Sequence, residues 1–250
     1  MFQQNGVPRP AEIEVGTFVK TCSPHIVEIL GGSGLDFAVL DAEHAPFDRM
    51  ALDLALLAGI AARLPLYVRV CDQQAATLLN ALDLGAAGVV VPHVDSARQA
   101  REVVSRTRYL HGERGYSGSP RSSRYGAMRM SEAVAAGART FVMCQIESRE
   151  GVEACADIAA VEGVDGVFIG RADLALSLGC DDSKHPLVEE ATEQVIRAGL
   201  AAGKRVGMFV GNPAERARYA AQGVSWFVHG SDQSLLRDAA KAIALPAARA

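Results

Sequence analysis

The sequence predicts an α/β fold, a single (β/α)8 TIM barrel over residues 1–250 with an N-terminal extension over 1–15. Three observations predict it. The chain is 250 residues long, close to the roughly 250 typical of that barrel. Eight short runs rich in Val, Ile and Phe alternate with longer Ala/Leu/Arg segments of helical period. No Pro/Ser-rich linker or charge block divides the chain, so one domain is the better reading.

The predicted strands are GTFVKT (16–21), DFAVLD (36–41), LYVRV (66–70), GVVVPHV (88–94), FVMCQIE (141–147), GVFIG (166–170), RVGMFV (205–210) and SWFVHG (225–230). Their near-continuous apolar character suits strands covered on both faces. Helices are expected over 25–30, 49–63, 75–84, 97–108, 150–160, 186–202, 213–222 and 234–243. Gly31, Gly85, Gly203 and Gly223 read as helix stops that take the left-handed conformation. Asp95/Ser96 and Asn212-Pro213 read as helix starts. Residues 109–130, YLHGERGYSGSPRSSRYGAMRM, are too long for an ordinary connection. They can cover the barrel mouth or join subunits, and both readings stay open.

Composition narrows the function classes. Hydrophobic residues make up 49% and charged residues 22%, values of a chain that buries a sizeable core. The formal charge is −4, from 25 basic and 29 acidic residues, so no cationic excess exists to hold nucleic acid or anionic lipid. No apolar run approaches the roughly 20 residues that cross a bilayer. The start, MFQQNGVPRPAEIEVG, has neither an apolar core nor a basic lead-in and is not expected to be a secretion signal. Five cysteines without a CxxC pair suit a reducing cytoplasm.

Charged residues at the strand C-termini carry the chemistry, because those ends face the mouth of a parallel barrel. Strand two ends in Asp41-Ala42-Glu43-His44, strand three near Arg69, strand five in Gln145-Ile146-Glu147 and strand six in Gly170-Arg171-Ala172-Asp173. Glu147 and Asp173, on neighbouring strands with no Cys or His beside them in sequence, are hard oxygen ligands suited to Mg²⁺ or Mn²⁺. Each can instead cap the helix that follows it. His44 stands where a general base could be oriented by Asp41, or where backbone could satisfy it. Arg69, inside an apolar strand, needs a partner or a ligand, and a structural ion pair with Glu43 competes with a binding role. His93 in VVVPHV points into the mouth or packs as an ordinary imidazole. His25, His111, His185 and His229 lack metal-ligand spacing. GGSG at 31–34 has no P-loop lysine, and no GxGxxG or GxSxG occurs. Gly170 lets a ligand approach the backbone, where the amides opening the next helix suit a carboxylate.

The blocks LDAEHAP, VRV, GERGYSGS, CQIESREG, VEGVDGVFIGRADLALSLG and HPLVEEATEQVI resemble, in order from about residue 16 to 243, the HpcH/HpaI aldolase family. That family includes metal-dependent 2-keto-3-deoxy sugar acid aldolases and 4-hydroxy-2-oxoheptanedioate aldolase. The resemblance implies a (β/α)8 barrel, commonly assembled as a homohexamer of paired subunits that exchange their final helix. By matching position it implies that Glu147 and Asp173 hold a divalent ion (Mg²⁺, Mn²⁺ or Co²⁺) and that Arg69 contacts the keto oxygen of pyruvate. It further implies His44, steered by Asp41, as the acid/base group, Gln145 beside the metal, and the amides of Ala172 and Asp173 as receivers of the pyruvate carboxylate.

The reaction so implied is reversible class II aldol cleavage. A 4-hydroxy-2-oxo acid chelates the ion, His44 takes the 4-hydroxyl proton through water, and the C3–C4 bond breaks. The pyruvate enolate is stabilised by metal and Arg69, and an aldehyde leaves. Only Lys20 offers itself near a strand end for an imine route, so the metal route is preferred. One departure stands out: Arg171 occupies the position where many members of the family carry Pro. A cation there could bind a second carboxylate or a phosphate of the substrate, or could point outward to a nearby acid. It keeps in view a siderophore-type citrate synthase that condenses oxaloacetate with acetyl-CoA. A barrel that has lost catalysis is the remaining alternative, and retention of Asp41, His44, Arg69, Gln145, Glu147 and Asp173 argues against it.

Overall fold

Each of the eight apolar runs forms a strand in the computed structural model, which describes residues 13–244. The strands are β1 (Glu14–Val19), β2 (Phe37–Asp41), β3 (Leu66–Arg69), β4 (Gly88–Val91), β5 (Phe141–Ile146), β6 (Gly166–Ile169), β7 (Arg205–Val210) and β8 (Trp226–Ser231). Each pairs in parallel with the next, and β8 returns to β1, closing the barrel. Such closure leaves no exposed sheet edge. Glu14 already pairs with Trp226, so the barrel takes up the last residues assigned to the extension; residues 1–12 lie outside the described part.

The helices on the outside are α1 (Pro24–Gly31), α2 (Arg49–Ala62), α3 (Ala75–Asp83), α4 (Ala97–Thr107), α5 (Met130–Gly137), α6 (Arg149–Glu153), α7 (Cys155–Ala159), α8 (Arg171–Ser177), α9 (Pro186–Ala201), α10 (Pro213–Ala220) and α11 (Asp232–Ile243). Ser96 and Asn212 cap α4 and α10 as expected, each accepting from the backbone N–H three residues on. Gly85, Gly203 and Gly223 take the left-handed conformation, at φ 98°, 67° and 98°. Gly31 does not: it belongs to α1, and Gly34 (φ 82°) carries the left-handed turn.

Four departures have local causes. The fourth strand ends at Val91 because Pro92 has no N–H to give and His93 turns left-handed at φ 56°. The expected helix over 150–160 is two short helices meeting at Ala154, whose ψ is 1°. α8 begins directly at the end of β6, inside what periodicity reads as a strand end. The long segment 109–130 contains a 3-10 turn over Arg121–Gly126, and α5 begins at its end.

Two arginines of this segment anchor it away from the mouth of its own barrel. Arg121 donates to the carbonyl of Leu84 and pairs with Asp53 of α2, and Arg114 pairs with Asp83. Asp83 and Leu84 close α3 just before β4 starts, at the end of the barrel opposite the strand C-termini.

The core has two layers. Between sheet and helices lie Val, Leu and Ile from β1 to β7 and Phe227 from β8, with α2, α3, α4, α7 and α9 packed on them. Inside the barrel an aromatic stack fills the volume: Phe37 lies flat on Trp226 at 4.1 Å, and Tyr67 and Phe168 meet Trp226 edge-on at 5.4 and 5.9 Å. Packed interiors of this kind are a floor, not a pore. The charged residues stand above it. The last helix, α11, buries only Asp232 and leaves Leu235, Leu236 and Ile243 exposed.

Candidate active site

Asp41 and Arg69 are register partners across β2 and β3. The Arg69 guanidinium donates from Nε to Asp41 Oδ1 at 2.9 Å and from Nη2 to Oδ2 at 2.8 Å, the two-pronged geometry in which Arg grips a carboxylate best. Lys20, just past β1, adds its Nζ at 3.0 Å from Asp41 Oδ2. Burial pushes the Asp41 carboxyl up, but the Arg69 and Lys20 cations outweigh it and hold the group below its ordinary value. Arg69 also lies over the Phe18 ring at 4.5 Å.

The expected steering of the His44 ring by Asp41 is not what the structure has. Asp41 accepts from the His44 backbone N–H at 3.2 Å, and its oxygens are otherwise taken by Arg69 and Lys20. It is Glu43 whose Oε2 lies near His44 Nε2, at 3.7 Å. Half of the His44 side chain (51%) is exposed at the mouth.

Glu43 is the hub that sequence reading underrated. Its carboxylate lies 3.3 Å from Arg69 Nε and 3.5 Å from His93 Nε2. The ion pair weighed for Arg69 is therefore real but shared, with Asp41 the stronger partner. Burial raises the Glu43 carboxyl above its ordinary value, and repulsion from Glu147 adds to this, against the pull of Arg69.

Gln145 and Glu147 stand two residues apart on the end of β5, so both face the mouth. The Gln145 amide donates to Glu147 Oε2, and the His93 backbone N–H donates to Glu147 Oε1 at 2.8 Å. The imidazole Nδ1 of His93 lies 3.0 Å from the same oxygen. Gly170, at the end of β6, makes this possible: a Cβ there would fall 2.7 Å from Glu147 Oε2 and 2.9 Å from its Cβ. Glu43, His93 and Glu147 offer ligand atoms all within 4.8 Å of one another. Asp173, half-buried on the first turn of α8 beside the exposed Ala172, is not one of that cluster. The sequence missed Glu43 and His93 as cation-facing groups. The signal for Glu43 was present, because it falls two residues past Asp41 on the same side. For His93 the sequence left the mouth and ordinary packing both open, and the structure exposes 63% of its side chain beside Glu147 and Glu43.

Arg171 is occupied. Its guanidinium pairs with Glu215 at 2.6 Å, donates to the Tyr219 hydroxyl at 3.1 Å and to the Phe209 carbonyl at 3.2 Å, and lies over the Tyr219 ring. The reading in which it pairs with a nearby acid holds, but the side chain is buried rather than outward.

The donor set fits a divalent cation. Two carboxylates and an imidazole converge, and two buried oxygens beside them, Glu43 Oε2 and Gln145 Oε1, have no hydrogen-bond partner among the described residues.

The chain is similar to known proteins over most of its length. The sequence profile of the HpcH/HpaI aldolase/citrate lyase family matches residues 14–239. A 2-keto-3-deoxy-L-rhamnonate aldolase of Klebsiella pneumoniae subsp. pneumoniae is 38% identical over 235 residues, covering 91% of this chain and 86% of that one. A crystal structure of an HpcH/HpaI aldolase/citrate lyase family protein from Burkholderia cenocepacia superposes with a TM-score of 0.88 at 36% identity, covering 93% of each chain. The citrate synthase SbnG superposes at 0.84 with 29% identity, covering 92% of this chain and 91% of its own. The chain belongs to the HpcH/HpaI aldolase/citrate lyase family.

Proposed function

We propose that the protein is a class II aldolase, a carbon–carbon lyase that reversibly cleaves a 4-hydroxy-2-oxo acid of the 2-keto-3-deoxy type into pyruvate and an aldehyde. The observation that carries this reading is the mouth itself: a buried guanidinium held by Asp41 faces a paired-carboxylate pocket that an exposed imidazole overlooks. Membership of an aldolase family supports it.

Arg69 gives Nε and Nη2 to Asp41, which leaves Nη1 for the keto oxygen and the charge that develops there as the C3–C4 bond parts. His44, half exposed beside Glu43, is placed to take the 4-hydroxyl proton through water and to return one to C3. Glu147, with Asp173 brought in by family resemblance, would hold Mg²⁺, Mn²⁺ or Co²⁺; when bound, the ion supplies Lewis-acid neutralisation of negative charge on the oxo acid. Gln145 fixes Glu147, and the amides of Ala172 and Asp173, brought in by family resemblance, would meet the substrate carboxylate. Lys20 is paired with Asp41, which suits an ion-pair partner better than an imine-forming amine. The Arg171 side chain that motivated a citrate-forming alternative is engaged with Glu215 and Tyr219, so the aldolase reading comes first.

A homohexamer with exchanged final helices accounts for the apolar face that α11 leaves open, and light scattering of the purified protein tests it. Among the described residues no helix is long and apolar enough to cross a membrane, and all five cysteines are free, in keeping with the cytoplasm. The decisive experiment is pyruvate release from a panel of 4-hydroxy-2-oxo acids, coupled to lactate dehydrogenase, with and without chelator. Metal-dependent pyruvate supports the reading, and its loss in Glu147→Ala with an unchanged circular dichroism spectrum assigns the site. Thiol release from acetyl-CoA and oxaloacetate without pyruvate formation would replace it by the citrate-forming reaction.

A further inference from the structure

We propose that Lys20 is a specificity-determining residue: its ammonium group binds a second carboxylate at the far end of the 4-hydroxy-2-oxo acid, and so favours aldehyde partners that carry a negative charge. The inference deepens the aldolase reading and rests on it.

Three observations carry it. The first is spare donors. An ammonium group has three N–H donors, and among the described residues the ion-pair partner of Lys20 is Asp41, at 3.0 Å. Asp41 does not need that contact to be satisfied, because Arg69 already donates to both of its oxygens, at 2.9 and 2.8 Å. Two donors of Lys20 remain, on a side chain that is 29% exposed at the mouth.

The second is a fixed stem. The Lys20 backbone N–H donates to Asp232 Oδ1 at 2.8 Å, and the Thr21 N–H donates to Oδ2 at 3.0 Å. Asp232 is buried where β8 meets α11. A carboxylate from the last strand–helix joint thus pins the chain from which Lys20 projects. Such preorganisation cuts the ordering cost that an ordinary surface lysine meets on binding. The Phe18 ring lies beneath both cations, with its centroid 5.7 Å from Lys20 Nζ and 4.5 Å from the Arg69 guanidinium carbon.

The third is place. Lys20 Nζ and Arg69 Nη2 meet on one atom, Asp41 Oδ2. An oxo acid whose first carboxylate lies on the β5–β6 side and whose keto oxygen meets Arg69 has its aldehyde end on the β1–β2 side, where His44 and Lys20 stand. Arg171, the cation that the sequence offers for a second carboxylate, is taken by Glu215 and Tyr219. An ammonium–carboxylate contact is charge-assisted and stronger than one to a hydroxyl. The rival role is a positioning one, in which Lys20 acts through Asp41 on Arg69 and never touches substrate.

Steady-state kinetics of the full-length enzyme in the condensation direction separates the two. Pyruvate is offered with aldehydes matched in size, succinic semialdehyde against butanal and glyoxylate against glycolaldehyde. The wild type should prefer the carboxylate member of at least one pair. Lys20→Met should lower kcat/KM for that member by about 10- to 100-fold more than for its neutral match, chiefly through KM. Lys20→Arg should keep the preference. Lys20→Gln, a second neutral variant, replaces Lys20→Met if circular dichroism shows the latter unfolded. An equal fall for both members of each pair assigns the positioning role and overturns the proposal, as does a wild type without preference in either pair. Pyruvate trapped on Lys20 by borohydride, read by mass spectrometry, overturns it in favour of an imine-forming amine. These outcomes leave aldol chemistry standing, whereas folded wild type that condenses pyruvate with none of the four aldehydes overturns the aldolase reading and the proposal together.

Discussion

Asp41 grips Arg69 through both of its oxygens across adjacent strands, with no part of the Asp41 side chain reaching solvent. Two buried charges arranged this way cost more to break than they gain by forming. Asp41→Asn therefore leaves Arg69 and Lys20 with a neutral amide. It should lower stability at neutral pH by about 3–5 kcal/mol, and kcat should fall about 100-fold as the guanidinium loses its set. The pH dependence has a definite sign. A carboxyl held below its ordinary value of 3.8 stabilises the fold fully above that value, and the contribution is lost as pH falls through the lower folded value. Urea melts between pH 7 and pH 3 should show the variant losing less on acidification than the wild type.

Gly170→Ala should displace the Glu147 carboxylate and strain the joint between β5 and β6. The backbone at Gly170 has φ −89°, which alanine accepts, but the added methyl also falls 2.9 Å from the buried Glu147 Cβ, so stability should drop by about 1–3 kcal/mol as β5 and β6 adjust. The added methyl group, however, falls inside contact distance of Glu147 Oε2 and forces that carboxylate off its mark. Divalent-ion affinity should fall by about 10-fold or more, read by calorimetry on protein that circular dichroism shows to be folded.

Arg171→Met tests the structural assignment of that side chain. Removing the guanidinium strips Glu215 and Tyr219 of their shared donor, and stability should fall by about 3 kcal/mol. KM for the keto acid should not move. A raised KM with unchanged melting would show instead that the cation meets substrate.

Cys144, fully buried on β5, has its thiol pushed up to about 12 from 9.0, mainly by burial and further by the Asp165 carboxylate. The folded chain keeps this proton while the unfolded chain loses it from pH 9 upward, so stability should decline with rising pH in that window. One such group contributes about 1.4 kcal/mol per pH unit. Cys144→Val should flatten this part of the alkaline limb in equilibrium denaturation. An unchanged slope would count against the assignment.

The barrel was legible because its strands are buried on both faces, and runs such as FAVLD and GVFI announce that directly. Strand-end acids and Arg69 were legible for the same reason, since charge at the end of an apolar run has few places to go. What sequence could not say is which acid meets which base. Asp41 and Glu43 are both carboxylates two residues apart, and only the register of β2 on β3 gives Asp41 the two-pronged grip on Arg69 and leaves Glu43 shared between Arg69 and both histidines. His93 stayed open between mouth and packing because Pro92 and a left-handed turn interrupt the strand's alternation there. Arg171 was ambiguous because its partners, Glu215 and Tyr219, lie more than forty residues downstream. A helix start after Gly170 was legible in RADLA, but its extent was not, because no Ser, Thr or Asp precedes Arg171 to cap it and it runs only to Ser177.

The stacked rings of Phe37, Tyr67, Phe168 and Trp226 give the vessel a single door. Reactant and both fragments must pass the same rim, so whichever product settles nearest that hydrophobic bed departs last. Traffic through this enzyme is therefore a queue rather than a through-flow, and inhibition patterns by the two products should differ in kind.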